Sequence, residues 1–84
     1  MTLHETFVFS PHARQRMARH GITEDEAIKC VMEGKPVATT RVGDEVRHAS
    51  ESLEKERKIV VVFAKDEKVR VITCYPLKRR WPKA

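Results

Sequence analysis

The run Ile59-Val-Val-Val-Phe-Ala64 constrains the fold of this 84-residue chain more than any other segment. Nearly continuous β-branched and aromatic residues are typical of a strand covered on both faces, so we expect this strand at the centre of a sheet. A chain of this length builds one core, because a second core would bury too little apolar surface to fold. The sequence therefore predicts a single α+β domain over residues 6–76, followed by a basic C-terminal tail over residues 77–84.

Two helices are predicted between residues 10 and 34. Ser10 is a suitable N-cap and Pro11 a suitable first helical residue, while Gly21 is placed to end this first helix in a left-handed conformation. Thr23 and Glu26 have the spacing of a capping box, in which each side chain bonds the other's backbone N–H. The second helix therefore begins after Thr23.

The remaining segments predict strands. A short strand lies within Thr6–Ser10, a strand or loose hairpin spans Val37–Ser50, and the final strand is Val69–Tyr75. The order β-α-α-β-β-β predicts two N-terminal helices packed on an antiparallel sheet of three to four strands. Strict alternation along the final strand would put Tyr75 on one face and Arg70 on the other.

Charge indicates the class of partner. The chain has a net charge of +5, and the segments 11–23 and 68–84 contain no acidic residue. A folded molecule with such segments has a basic face, which favours a polyanion such as RNA. The alternative is that these charges only keep the protein soluble.

Other classes have little support in the sequence. Without an apolar run of about 20 residues or a signal-peptide pattern, we expect a cytoplasmic protein with no membrane association. Cys30 and Cys74 have no metal-binding spacing, and buried free thiols are expected. The motifs of phosphate loops, zinc peptidases and serine hydrolases do not occur, so we expect neither a metal nor a cofactor.

The first helix carries a candidate site. His12, Arg16 and Arg19 recur at intervals that place them on one stripe, away from the inward stripe of Ala13 and Met17. Two guanidinium groups beside an imidazole suit phosphate binding and proton transfer. His12 is equally well explained as a residue at the start of a helix with no chemical role.

The strands add further candidates. Arg47 and His48 are adjacent in a strand and must point to opposite faces, so only one of them joins a given site. His48 is the chemically more useful of the two, although a lone strand histidine more often packs. Tyr75 would either stack on a base or pack at the sheet edge.

Three segments of the chain carry a family resemblance. Phe9-Ser-Pro-His-Ala-Arg-Gln-Arg-Met17, then Arg19-His-Gly-Ile-Thr-Glu-Asp-Glu-Ala27, then Thr73-Cys-Tyr-Pro76 together resemble the domain-of-unknown-function family 4258. More distantly, the layout is similar to the BrnT and RelE type toxins, in which two helices precede an antiparallel sheet. The distant resemblance implies a metal-independent endoribonuclease of a toxin–antitoxin pair, in which the ribose 2′-hydroxyl attacks the adjacent phosphate.

That reaction needs a base, an acid and positive charge on the transition state. Under this hypothesis the catalytic residues are His12, Arg16 and His48. The substrate-binding residues are Arg19, Arg47, Arg70 and Tyr75. RNA and an acidic antitoxin protein are the expected partners. The alternatives are a non-catalytic nucleic-acid-binding module and a module that pairs with another protein through its sheet edge.

Overall fold

The computed structural model describes residues 6–54 and 57–77, which form two helices and five strands. In chain order, these elements are β1 (Phe7–Phe9), α1 (Pro11–His20), α2 (Glu24–Glu33), β2 (Lys35–Val42), β3 (Glu45–Glu54), β4 (Arg57–Lys65) and β5 (Val69–Pro76). The basic tail predicted at residues 77–84 lies outside the described residues from position 78 onward.

The sheet has the strand order β1-β5-β4-β3-β2, so the apolar run predicted to be central does occupy the middle strand. The α+β class is confirmed, but the expected sheet of three to four antiparallel strands is wrong in two respects. There are five strands, and β1 runs parallel to β5, with Phe7 opposite Val69 and Phe9 opposite Val71. Nearly the whole domain separates these two partners in sequence, so local patterns do not reveal the pairing.

Both helix starts form as the sequence predicts. The Ser10 side chain accepts a hydrogen bond from the Ala13 N–H at 3.0 Å, and the Ser10 hydroxyl donates to the carbonyl of Ile72 in β5. Thr23 and Glu26 form the reciprocal capping box, with distances of 3.0 and 3.1 Å. These caps satisfy backbone N–H groups that a helix start leaves unpaired.

The end of α1 is held by the first residue of β4. Gly21 has φ of 67°, the left-handed conformation that glycine adopts without a Cβ clash. The guanidinium of Arg57 donates hydrogen bonds to the carbonyls of His20 at 2.7 Å and Gly21 at 3.0 Å. A cation therefore lies at the negative end of the helix dipole and connects α1 to the sheet.

The hydrophobic core lies between the helices and one face of the sheet. Helix residues such as Ala13, Met17, Ala27 and Cys30 pack against strand residues, of which Ile59, Val61, Val71 and Cys74 are fully buried. The Cys30 thiol donates to the carbonyl of Ser50 at 3.3 Å. Both cysteines are free and buried, as expected.

A β-bulge in β5 changes which side chains share a face. Val62 is opposite Thr73, whereas the next residue, Phe63, is opposite Val71, so Ile72 is an additional residue in β5. The prediction of strict alternation along β5 is therefore wrong. Tyr75 and Arg70 emerge on the same face, which is the face opposite the helices.

Candidate nucleic-acid interface

Within residues 6–54 and 57–77, both helices lie on one face of the sheet, and the opposite face, called here the open face, has a floor of small side chains. The register aligns Ala38, Ala49, Val62 and Thr73 in one row across four adjacent strands. All four side chains are at least partly exposed. All four are short, whereas the rows on either side carry arginine, glutamate and tyrosine side chains, so we call this central row the trough.

Two arginines stand along one side of this trough. The neighbouring row contains Arg47 opposite Ala64, and Ala64 opposite Arg70. Their side chains remain 36% and 44% exposed, respectively, so both guanidinium groups reach solvent. Sequential strands thus bring together two cations that are 23 positions apart in the chain.

Glu45 fixes the positions of both arginines. One carboxylate oxygen accepts from Nε of Arg47 at 3.1 Å, and the other accepts from a terminal nitrogen of Arg70. Hydrogen bonds, mainly from Arg70 and to a lesser degree from Arg47, lower the pKa of the Glu45 carboxyl, so it is ionised at neutral pH. A guanidinium has five N–H donors, and one bond to Glu45 orients each group without exhausting its capacity.

Tyr75 stands on the other side of the trough. It lies opposite Val60, in a row that also contains Glu51, and its side chain is 38% exposed. Along β4, Val60 and Ala64 are four residues apart, which places the two flanking rows about 13 Å from each other. A half-exposed tyrosine at this distance offers a flat ring beside the arginine row.

His48 lies in a separate groove on the helix side of the sheet. Its ring contacts Phe63 at 5.5 Å between centroids. The groove has a volume of about 420 Å³ and lies beyond the C-terminal end of α2. Its polar lining comes from Thr39, His48, Ser50 and Lys65, and its apolar lining includes Val31, Met32 and Val69.

The predicted stripe on α1 forms a third location. His12 and Arg19 are exposed, and Arg16 is half-buried. Arg16 lies near enough to the Cys74 thiol to lower its pKa somewhat, although burial outweighs this effect and raises that pKa to about 11. Arg16 therefore packs closer to the core than a residue on an outward stripe would.

The chain matches a protein-family model over most of its length. A family model described as "Domain of unknown function (DUF4258)" matches residues 9–76, from the end of β1 to the end of β5. The chain belongs to DUF4258. No curated protein and no solved structure matches the chain.

The structure of this DUF4258 chain groups some of the predicted site residues and separates others. Arg47, Arg70 and Tyr75 share the open face, while His48 points to the groove on the opposite face. The three α1 candidates, His12, Arg16 and Arg19, belong to the helix layer. The seven residues therefore do not form one site.

Several residues at these locations were not singled out from sequence. Glu45 connects the two arginines, but a glutamate two residues before an arginine is a common pattern with no specific signal. Lys65 and Thr39 join His48 only because β2, β3 and β4 are adjacent. To place Lys65 and Thr39 beside His48, one would need to know which residues are opposite each other in β2, β3 and β4.

Within residues 6–54 and 57–77, the DUF4258 chain has no group of three histidine, cysteine or acidic side chains able to hold a metal ion. Within the same residues, neither helix is long and apolar enough to cross a membrane.

Proposed function

We propose that this chain binds single-stranded RNA across the open face of its sheet. The observation that carries the proposal is the common face of Arg47, Arg70 and Tyr75, produced by the bulge at Ile72. Two guanidinium groups offer donors to successive phosphates, and a tyrosine ring offers a stacking surface for a base. The trough of small side chains between them provides room for a strand.

Single-stranded RNA fits better than a duplex for a physical reason. The bases of a duplex are stacked on each other, so a protein tyrosine stacks on bases only where they are unpaired. Glu45 holds both guanidinium groups in place before binding, which reduces the entropy lost when phosphates are bound. The proposed interface is thus electrostatic along one side and aromatic along the other.

A second function is favoured by the groove that contains His48. We propose it as the place where the chain would act as a metal-independent endoribonuclease of the RelE or BrnT type, with an acidic antitoxin as partner. The His48 imidazole would take the proton of the ribose 2′-hydroxyl as that oxygen bonds to phosphorus, and the Lys65 ammonium would stabilise negative charge on the non-bridging phosphate oxygens. The bond from phosphorus to the 5′-oxygen would break, and that oxygen would take its proton from water. Thr39 and Ser50 supply hydroxyls in the same groove.

Binding is tested by fluorescence anisotropy of a labelled single-stranded RNA at a series of salt concentrations. Replacing both Arg47 and Arg70 by glutamine is expected to reduce the slope of log K against log salt by about 1.4, because each phosphate contact contributes about 0.7 for single strands. Tyr75→Leu is expected to weaken binding by about 1–3 kcal/mol with little change in that slope.

Arg14→Gln is the matched control for these variants. Arg14 is exposed and ion-paired with Glu24 at 2.8 Å, so its replacement also removes one paired positive charge, but from the helix layer. Its effect on the slope is expected to be small. If Arg14→Gln lowers the slope by about 0.7, the amount expected for each open-face arginine, RNA responds to net charge and the open face is not the site.

Cleavage is tested with the same RNA in the presence of EDTA, which inactivates contaminating metal nucleases. Products with 2′,3′-cyclic phosphate ends that disappear in His48→Ala and persist in His12→Ala would support the groove as the catalytic site. The reverse pattern would move the chemistry to α1. Binding without cleavage in the wild type would reject the endoribonuclease and retain the RNA-binding proposal.

A further inference from the structure

The strand β2 forms an accessible edge of the sheet. All eight of its residues are exposed, and β3 is its partner strand within the described part of the chain. The opposite edge, β1, has only three residues. An eight-residue edge with unpaired backbone N–H and C=O groups is able to accept another strand.

Only part of β2 is regular enough for such pairing. A register shift between Pro36 and Ala38 makes Val37 an additional residue, and Pro36 has no N–H to donate. The segment Ala38–Val42 pairs with β3 without interruption, and its central residue is Thr40. Exposed apolar side chains accompany this segment, with Val42 at 48% and Val37 at 45% exposure.

We propose that Ala38–Val42 pairs antiparallel with the same segment of a second copy of this chain, centred on Thr40. A two-fold axis perpendicular to the sheet keeps the helices of both copies on the same side. Opposite residues then point to the same face, so Thr40 meets Thr40, Ala38 meets Val42 and Thr39 meets Arg41. Two five-stranded sheets become one continuous sheet.

The pairing does not put like charges directly opposite each other. Arg41 meets Thr39 and therefore does not face another cation. Lys35, at the start of β2, comes to the end where the second copy has the turn residue Asp44. The exposed Val42 is covered by Ala38 of the other copy. These features favour a second copy over an unrelated strand as the occupant of the edge.

The pairing would also complete both candidate sites, a consequence that rests on the proposed functions. On the open face, Thr40 belongs to the same row as Arg47, so the arginine rows of the two copies become collinear. The two Arg47 residues would be three strand intervals, or about 14 Å, apart. On the helix side, Arg41 of the second copy would reach the rim of the groove beside Thr39, adding a cation near His48.

Cysteine cross-linking tests the pairing without RNA, so its result is independent of the proposed function. In the full chain, Thr40→Cys is expected to give a covalent dimer rapidly in a glutathione redox buffer, because residues opposite each other on an axis have closely spaced Cβ atoms. Thr39→Cys should cross-link much more slowly, since it faces Arg41. Asp66→Cys, in the β4–β5 turn, is the control that gives the rate of cross-linking by random collision. The native Cys30 and Cys74 are buried and will not compete.

Sedimentation velocity provides the second measurement. The wild type is expected to form a dimer in a concentration-dependent manner, and Thr40→Lys should remain a monomer because two like charges would meet on the axis. Circular dichroism establishes that each variant is folded. A monomeric wild type, or equal cross-linking of Thr40→Cys and Asp66→Cys, would overturn the proposal. Faster cross-linking of Thr39→Cys would overturn the register centred on Thr40.

Discussion

Arg57→Met is expected to destabilise the protein by about 2 kcal/mol. The variant keeps an unbranched stem as long as that of arginine up to Nε, but it removes the rest of the guanidinium and the two hydrogen bonds to the carbonyls of His20 and Gly21. Hydrogen bonds from a charged donor contribute about 1.5–3 kcal/mol when well shielded, and a cation at a helix C-terminus adds about 0.3–1 kcal/mol. Partial exposure of this site reduces the total, which gives the value near 2 kcal/mol.

Urea unfolding followed by circular dichroism measures this loss. For a domain of this size, about 2 kcal/mol corresponds to a decrease in Tm of roughly 8–16 °C. Hydrogen exchange gives a local readout, because the Ile22 N–H bonds to the Met17 carbonyl at the end of α1 and should exchange faster in the variant. Arg57→Lys keeps the charge but cannot donate to both carbonyls in the same geometry, so its free energy of unfolding should lie between those of the wild type and Arg57→Met. A loss below about 0.5 kcal/mol in Arg57→Met would refute the assigned role of these hydrogen bonds.

Three further outcomes are expected. Gly34→Ala would place a methyl group against the Cys30 carbonyl and 2.7 Å from the carbonyl oxygen of Glu51. The free energy of unfolding of this variant should therefore be lower than that of the wild type by about 1–3 kcal/mol. An unchanged midpoint of urea unfolding would contradict this packing. The pKa of Glu45 is lowered in the folded state, so its ionised form stabilises the fold at neutral pH, and this contribution disappears as pH falls below about 4.3 toward the lowered pKa. In urea titrations, the stability advantage of the wild type over Glu45→Gln should therefore shrink across that pH range. A stability difference that does not depend on pH would exclude the linkage. Burial raises the pKa of Cys74 to about 11, so at pH 8 a thiol reagent should modify it only as fast as the protein opens, and rapid labelling of the native protein would show that the thiol is accessible.

Local signals in the sequence predict much of this fold. Ser10, Gly21 and the capping box at Thr23 mark helix ends through backbone chemistry that acts over a few residues, and all three form in the structure. The apolar run in β4 is similarly self-contained, and it occupies the centre of the sheet. In the part of the chain that the structure describes, the helices cover one face of this run, and Val60 and Ala64 on the open face are also buried.

Features that depend on distant pairing could not be predicted in this way. The parallel contact of β1 with β5 joins opposite parts of the chain, and neither strand carries a local sign of its partner. The bulge at Ile72 has no glycine to mark it, yet it decides that Arg70 and Tyr75 share a face. The sequence therefore showed which residues have suitable side-chain chemistry, but only the strand register shows which of them lie together.

The contact between the first and last strands has a consequence for synthesis of the protein. Ser10, the N-cap of α1, donates its backbone N–H to the carbonyl of Val71 and its hydroxyl to that of Ile72. While the chain is being made, both helices emerge long before β5. The helix α2 packs on β3 and β4, whereas α1 packs on β5 and lacks that support until the last strand arrives. Completion of β5 is thus the step that fixes α1 and β1 to the sheet, so a chain on a ribosome stalled before Val69 would lack the partner strand of both elements.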